Sequence, residues 1–182
     1  MSGARQVKVL LDEKKIADRT AELAREIAAV DPRDLLVVAI LKGSFMFAAD
    51  LLRALHRAGL EPHVEFFHLS SYKDGMVSSG TVTILRDIES SVKGRDILLV
   101  DDILESGRTL AFAKDLLAAR GARRVLVCAL LQKPGKQEVE IKADFVGFVC
   151  PDLFVVGYGM DVAHAYRELP FIGHVVERTE AG

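Results

Sequence analysis

A helical repeat of apolar residues is the first regular pattern along the chain. Apolar or small positions recur at steps of four and three between residues 16 and 30, which places them on one face of an amphipathic helix. Proline cannot continue a helix, so we expect this one to end near Asp31-Pro32. The residues of the apolar face are Ile16, Thr20, Leu23, Ile27 and Val30.

Longer apolar runs mark the centre of a predicted sheet, because they suit strands buried on both faces. Helical patterns follow the first two runs, one stopping near Gly59 and the other at Gly121. Strands that alternate with helices are typical of a parallel sheet covered by helices on both faces. The three runs are residues 35–41, 97–100 and 125–131.

Weaker patterns predict further strands around this centre. A polar segment rich in Ser and Gly, residues 70–80, separates the strands predicted at 63–70 and 81–86 and is typical of a loop. Short strands outnumber helices after about residue 132, so we expect a small lobe there and not a second domain. The further strands are predicted at 63–70, 81–86, 145–149, 154–157 and 174–177.

Composition narrows the class of protein. A length of 182 residues suits one domain over residues 1–182, and 24 basic against 26 acidic residues leave a net charge of −2. Nucleic-acid and membrane-surface binders usually carry a basic face, so we expect neither partner. No apolar run is long enough for a membrane span, and residues 1–15 lack a signal-peptide core. Cys128 and Cys150 lie in apolar segments, which predicts reduced thiols and a cytoplasmic protein.

Candidate chemistry concentrates where the second buried run ends, because parallel sheets bind ligands beyond the carboxyl ends of their strands. Asp101 and Asp102 follow this run directly, and Glu105 comes three residues later. Adjacent carboxylates repel each other, so a cation or sugar hydroxyls should lie beside them.

Residues 106–109 have the composition of a phosphate cradle at the start of a helix. Gly107 permits backbone conformations that other residues resist, and the N–H groups of a helix N-terminus attract an anion. Ser106 and Thr109 add hydroxyls, and Arg108 adds positive charge. Ser106 alone also suits an ordinary helix N-cap. Three acids beside this cradle indicate a sugar phosphate with a metal ion.

Residues 97–109 resemble the signature of the type I phosphoribosyltransferases, which bind phosphoribosyl diphosphate. The signature has four apolar residues, two acids, two apolar residues, one variable residue and then Ser-Gly-x-Thr. Lys42-Gly43-Ser44 is similar to the diphosphate loop of that family, in which the peptide before the lysine is often cis. Residues 154–161 and 166–170 resemble the purine-binding hood of the hypoxanthine-guanine phosphoribosyltransferases.

The resemblance covers residues 7–178 and implies both a fold and an activity. The implied fold is α/β, with a central, mainly parallel sheet flanked by helices. A small hood would be formed mainly by about residues 132–182 with the N-terminal segment. The implied activity is magnesium-dependent transfer of the phosphoribosyl group to hypoxanthine, and to guanine, giving IMP or GMP and diphosphate in purine salvage. A homodimer or homotetramer is also implied.

The resemblance implies a role for each residue of the donor site. The ribose and a magnesium ion are assigned to Asp101 and Asp102. The 5′-phosphate is assigned to Ser106, Gly107, Arg108 and Thr109, and the diphosphate to Lys42, Gly43 and Arg167. From the residues alone, Lys42 equally suits an exposed turn, and Arg167 suits an ion pair with Glu168.

The acceptor site is implied in the same way. Lys133 would donate to the 6-oxo group of the purine, which favours hypoxanthine and guanine over adenine. Phe154 would stack on the ring, although a single Phe also suits core packing, and backbone groups of Val155 would read the base edge. Asp161 would hold a second magnesium ion, directly or through water, since magnesium takes oxygen ligands and keeps waters.

Glu105 falls at the position of the general base that would share the purine N7 proton. The family usually has Asp there, and it often has Glu where this chain has Asp101, so both positions depart from its pattern. Ser71 and Tyr72 match the family's mobile lid, although residues 70–80 equally suit a flexible hairpin tip.

Three alternatives remain open. A relative that prefers xanthine or guanine would carry nearly the same residues. An RNA-binding regulator on the same fold would also have an Asp-Asp pair, but it should show a basic face. A phosphorylated receiver domain also has an acidic pair at a strand end, yet the Ser-Gly-Arg-Thr cradle has no place in it.

Overall fold

The structure, a computed structural model, describes residues 6–71 and 82–176 of the chain, apart from the side chain of Ser71. These residues form nine strands and three helices. In chain order the elements are β1 (Gln6–Leu11), α1 (Glu13–Ala29), β2 (Leu36–Leu41), α2 (Phe45–Arg57), β3 (His63–Ser71), β4 (Val82–Arg86), β5 (Asp96–Leu104), α3 (Arg108–Ala119), β6 (Arg124–Gln132), β7 (Phe145–Val149), β8 (Val155–Val156) and β9 (Ile172–Val176).

The central sheet forms where the sequence is most continuously apolar. Its strand order is β4-β3-β2-β5-β6-β7, and every neighbouring pair is parallel except β3 and β4. Helices α1 and α2 pack on one face, where Leu23 and Leu51 share a hydrophobic core with Val37. Helix α3 packs on the other face, where Leu117 shares a second core with Val38. The predicted fold, a mainly parallel sheet with helices on both faces, is confirmed.

The chain leaves the middle of this sheet in opposite directions. From β2 it passes through α2 to β3 on one side, and from β5 it passes through α3 to β6 on the other. The adjacent carboxyl ends of β2 and β5 therefore form the topological switch point, where open α/β sheets bind their ligands.

A second, antiparallel sheet of three strands has the order β1-β9-β8. The sequence patterns did not predict β1, because all six of its residues are at least partly exposed and its hydrogen bonds go to β9, far along the chain. The hood segment predicted after residue 132 supplies β8 and β9 to this sheet, whereas β7 joins the edge of the central sheet.

Most predicted elements have the expected positions, with one difference that concerns the acidic residues. Strand β5 does not end at Asp101 and Asp102 but continues through them to Leu104. Pairing with β6 extends to Leu104, which explains the extra length. In the part of the chain that the structure describes, no helix is both long and apolar enough to cross a membrane.

Candidate active site

A cleft of about 490 Å³ opens at the switch point between β2 and β5. It is lined by residues 40–43 after β2, by the acidic end of β5, and by residues 106–110 at the start of α3. A smaller cleft of about 360 Å³ adjoins it and adds Asp161 and Arg167 to the lining of Lys42, Gly43 and Asp102. The two clefts share a wall, so they can hold the two ends of one extended ligand.

Asp101 and Asp102 lie side by side on the shared wall. Asp101 is 8% exposed, and its Oδ1 accepts a hydrogen bond of 3.0 Å from the backbone N–H of Asp102. Burial, and then the neighbouring negative charge, raise the pKa of Asp101 well above its usual range. Burial also raises the pKa of Asp102, although the positive charge of Arg167 acts in the opposite direction. The pair is therefore short of positive charge.

Gly43 allows the loop after β2 to touch this acidic pair. A Cβ atom added at Gly43 would overlap Oδ2 of Asp102 and lie 2.7 Å from its Cγ. Lys42 is exposed beside it, and the peptide bond between Leu41 and Lys42 is cis, as the resemblance implies. A glycine is thus required here for close approach of backbone to carboxylate.

Residues 106–109, which the sequence predicts to be a phosphate cradle, lie together at the start of α3 and line the larger cleft. Gly107, with a φ of 81°, is the residue that precedes α3, so Ser106 is not the N-cap. The Oγ of Ser106 accepts a hydrogen bond of 3.4 Å from the N–H of Arg108, the first residue of α3, and the first residues of this helix line the larger cleft. Arg108 lines that cleft while its guanidinium is paired with Glu138.

Arg167 and Asp161 pair with each other on the wall of the smaller cleft. Arg167 Nη2 lies 2.7 Å from Asp161 Oδ1, and its Nη1 donates to the carbonyl of Gly159 over 2.6 Å. The ion pair with Glu168 that the sequence left open is therefore wrong, because the hairpin bends of residues 157–169 turn Arg167 toward Asp161.

Of the predicted purine-site residues, Lys133 reaches the larger cleft through its contact with Glu105, whereas Phe154 and Val155 are not among the residues that line this cleft. Lys133 is only 6% exposed, and its Nζ lies 3.3 Å from Oε1 of Glu105. Phe154 is 61% exposed, so it is not a core residue, whereas Val155 is buried. Glu105 and Lys133 are 28 residues apart, so no local sequence pattern predicts their contact.

Two further charged residues line the larger cleft, and neither was predicted from the sequence as a site residue. Lys136 and Glu138 line it, and they are held by Asp152 at 2.6 Å and by Arg108, respectively. Both belong to a polar segment without a periodic pattern, so only their nearness to Lys133 could have drawn attention to them. Of the predicted lid, Ser71 ends β3, but its side chain and Tyr72 lie outside the described residues.

The acidic residues can be tested for their fit to a metal ion. Among residues 6–71 and 82–176, no three acid, histidine or cysteine side chains form a group able to hold one. Two adjacent carboxylates, one buried and one half-buried, whose pKa values are both raised nevertheless suit Mg²⁺, which accepts few protein ligands and completes its shell with water and phosphate oxygens. Asp161 lines the same smaller cleft as Asp102, but Arg167 already neutralises it.

Comparison with known proteins places this chain in a family. The phosphoribosyl transferase domain family matches residues 6–163. Hypoxanthine phosphoribosyltransferase of Escherichia coli strain K12 is 42% identical over 173 residues, which cover 93% of this chain and 96% of that protein. The bifunctional protein TilS/HprT of Listeria monocytogenes serotype 4b is 47% identical over 167 residues. This match covers 91% of the chain but only 25% of that longer protein, so the chain spans about a quarter of its length.

Solved structures give the same result. A hypoxanthine phosphoribosyltransferase from Staphylococcus aureus matches with a TM-score of 0.87 and 38% identity, over 93% of this chain and 91% of that one. A hypoxanthine-guanine phosphoribosyltransferase from Bacillus anthracis matches with a TM-score of 0.87 and 39% identity, over 94% and 100% of the two chains. The chain therefore belongs to the phosphoribosyl transferase family and, within it, to the hypoxanthine phosphoribosyltransferases.

Proposed function

We propose that this chain transfers the 5-phosphoribosyl group of phosphoribosyl diphosphate to N9 of hypoxanthine or guanine, with Mg²⁺, forming IMP or GMP and diphosphate. One observation carries the proposal. The acidic pair, the N-terminus of α3 and the Lys42-Gly43 loop all line the larger cleft at the switch point, and the smaller cleft extends it to Arg167. A sugar with a phosphate at one end and a diphosphate at the other needs these three features together.

The donor would lie along this cleft with its 5′-phosphate at residues 106–109. Backbone N–H groups and the positive end of the helix dipole favour the phosphate there. Asp101 and Asp102 would hold the ribose hydroxyls and Mg²⁺. Lys42, Gly43 and Arg167 would face the diphosphate, and the planar guanidinium of Arg167 suits two of its oxygens.

Mg²⁺, when bound, supplies charge neutralisation for the departing diphosphate. The chain's own contribution is to fix the leaving group between Lys42 and Arg167, so that charge developing on it meets positive charge already in place. The transition state should carry oxocarbenium character, as in other glycosyl transfers. A lid carrying Ser71 and Tyr72 would exclude water from it.

The acceptor would lie between Phe154 and the Lys133–Glu105 pair. Phe154 presents an exposed aromatic face for stacking. Lys133 would exchange Glu105 for the 6-oxo group of the purine, and this exchange would free the carboxylate of Glu105 to share the N7 proton. Because Lys133 only donates hydrogen bonds, the 6-amino group of adenine would leave it unpaired.

Two further parts of the proposal concern assembly and location. The outer positions of β3, Val64 and Phe66, are exposed on the same face of the sheet that α2 covers, and Phe45 of α2 is exposed as well. We propose that a second copy of the chain covers these residues in a homodimer or homotetramer, which light scattering at known concentration would measure. Both cysteines are free and buried, which suits the proposed reducing cytoplasm.

A transfer assay tests the function. Purified protein, phosphoribosyl diphosphate and Mg²⁺ are mixed in separate reactions with hypoxanthine, guanine, xanthine, adenine or uracil, and nucleotide formation is followed by absorbance. The expected result is transfer to hypoxanthine and guanine that stops when EDTA removes the metal. A strong preference for xanthine would favour the related specificity instead, and no transfer to any base would contradict the proposal.

A further inference from the structure

Tyr158 joins the hood loop to helix α2. Its side chain is 7% exposed, and its hydroxyl donates a hydrogen bond of 2.5 Å to Oδ2 of Asp50, in the middle of α2. Burial, and then the bond to Asp50, raise the pKa of Tyr158 far above its usual range, so the phenol remains a donor. The other carboxylate oxygen of Asp50 is paired with Arg53.

The backbone around Tyr158 is fixed in an unusual shape. Tyr158 has a φ of 50° and lies between Gly157 and Gly159, which have φ values of 93° and 98°. Its N–H donates to the carbonyl of Leu169 over 2.8 Å, and the N–H of Gly159 donates to that of Arg167 over 3.0 Å. A tyrosine rarely adopts a positive φ, so the surrounding contacts must hold it there.

This loop rests directly on the diphosphate loop. A Cβ atom at Gly159 would overlap the carbonyl oxygen of Gly43 and lie 3.4 Å from Phe45 at the start of α2. The carbonyl of Gly159 also accepts the hydrogen bond from Arg167. Helix α2 therefore helps to determine where Arg167 lies, through its contacts with Tyr158 and Gly159. Arg167 and Lys42 both line the smaller cleft.

We propose that Asp50 and Tyr158 are positioning residues for the diphosphate site: their hydrogen bond sets the distance between Arg167, on the hood loop, and the Lys42-Gly43 loop that precedes α2. This inference rests on the proposed function and adds two residues to it that touch no substrate. Loss of the bond leaves each wall of the smaller cleft intact but frees one wall to move against the other.

The experiment compares the two Michaelis constants. Tyr158→Phe removes only the hydroxyl, and it should raise the KM for phosphoribosyl diphosphate about tenfold, which corresponds to about 1.4 kcal/mol of binding free energy. The KM for hypoxanthine and kcat should stay within about twofold of the wild-type values, because the purine-site residues are not held by this bond. Asp50→Ala should have the same effect, and the double variant should be no worse than either single one.

Two control variants distinguish a positioning role of Asp50 and Tyr158 from a general effect on protein stability. Asp50→Asn keeps an acceptor oxygen for the phenol and should restore a KM near the wild-type value. Arg53→Gln removes the other partner of Asp50 while leaving the bond to Tyr158, and it should change neither Michaelis constant. Thermal unfolding of every variant is measured alongside, and if Tyr158→Phe does not fold, the comparison of Asp50→Ala with Asp50→Asn decides.

The outcomes distinguish the two proposals. A wild-type protein that transfers no phosphoribosyl group overturns the proposed function, and the inference with it. An active wild type, together with an unchanged KM for the donor in Tyr158→Phe, overturns the inference alone. Equal losses toward both substrates would also overturn it, because they would indicate a general structural role.

Discussion

Gly43→Ala tests whether the diphosphate loop and the acidic end of β5 act as one site. The φ of Gly43 is not positive, so alanine is compatible with the backbone, and only space opposes it. The added methyl group would overlap Oδ2 of Asp102, with Cγ at 2.7 Å. Either the carboxylate or the loop must then move by a distance of the order of an ångström.

Two magnitudes follow from this overlap. Inserting a methyl group into a packed site costs about 1–3 kcal/mol of folding free energy. For a chain of this size each kcal/mol lowers Tm by about 2–4 °C. A misplacement of about 1 Å at a reacting centre costs roughly 10²-fold in rate, so kcat/KM for phosphoribosyl diphosphate should fall by about that factor.

Gly94→Ala is the matched control. Gly94 has a φ of 75°, but no heavy atom lies within 4 Å of a Cβ atom added there. Alanine in the left-handed region costs about 1–2 kcal/mol, so this variant should lose similar stability with unchanged kcat/KM. Steady-state kinetics and thermal unfolding of both variants check the prediction. Equal activity of the two variants would refute the reasoning that Gly43 and Asp102 share one site.

The remaining predictions concern Glu105 as the proposed general base, Lys133 as the proposed purine-binding residue, and Asp96 at the first position of β5. Glu105→Gln should lower kcat by roughly 10²–10⁴ with little change in donor KM, and near-normal kcat would remove it from that role. Lys133→Met should reduce the preference for hypoxanthine over adenine about 10- to 100-fold, measured as a ratio of kcat/KM values. Burial alone would raise the pKa of Asp96, but hydrogen bonds from a main-chain N–H and from Arg123 and Arg124 lower it. Its stabilisation is therefore present above the unfolded pKa of about 3.9 and lost as pH falls through the folded pKa. Asp96→Asn should cost about 1–3 kcal/mol at pH 7, because Arg123 and Arg124 remain partly exposed, and the cost should shrink as pH falls below about 3.9 in urea titrations; a cost that does not change with pH would contradict the assignment.

The parts of the fold that the sequence predicts are those in which local pattern and burial agree. Strands β2, β5 and β6 are nearly continuous apolar runs because both faces of the sheet are covered, so their pattern alone identifies them. Strand β1 has no such signal, since its exposure is irregular and it depends on pairing with β9, more than 160 residues away.

The candidate site divides in the same way. The acidic pair and the cradle are contiguous in the sequence, so their spacing predicts their geometry. The Glu105–Lys133 contact and the Tyr158–Asp50 bond join distant segments, and the latter spans 108 residues. No local sequence pattern predicts such pairs. The Glu105–Lys133 contact arises only when β6 pairs with β5, and the Tyr158–Asp50 bond arises only when the hood loop folds back onto α2.

A crystal structure with phosphoribosyl diphosphate, Mg²⁺ and an unreactive hypoxanthine analogue tests the central claim most directly. We expect the 5′-phosphate on the N–H groups of residues 106–109, Mg²⁺ beside Asp101 and Asp102, and the diphosphate between Lys42 and Arg167. The purine should stack on Phe154 with its 6-oxo group on Lys133. A donor bound away from the switch point between β2 and β5, or a purine away from Phe154, would contradict it.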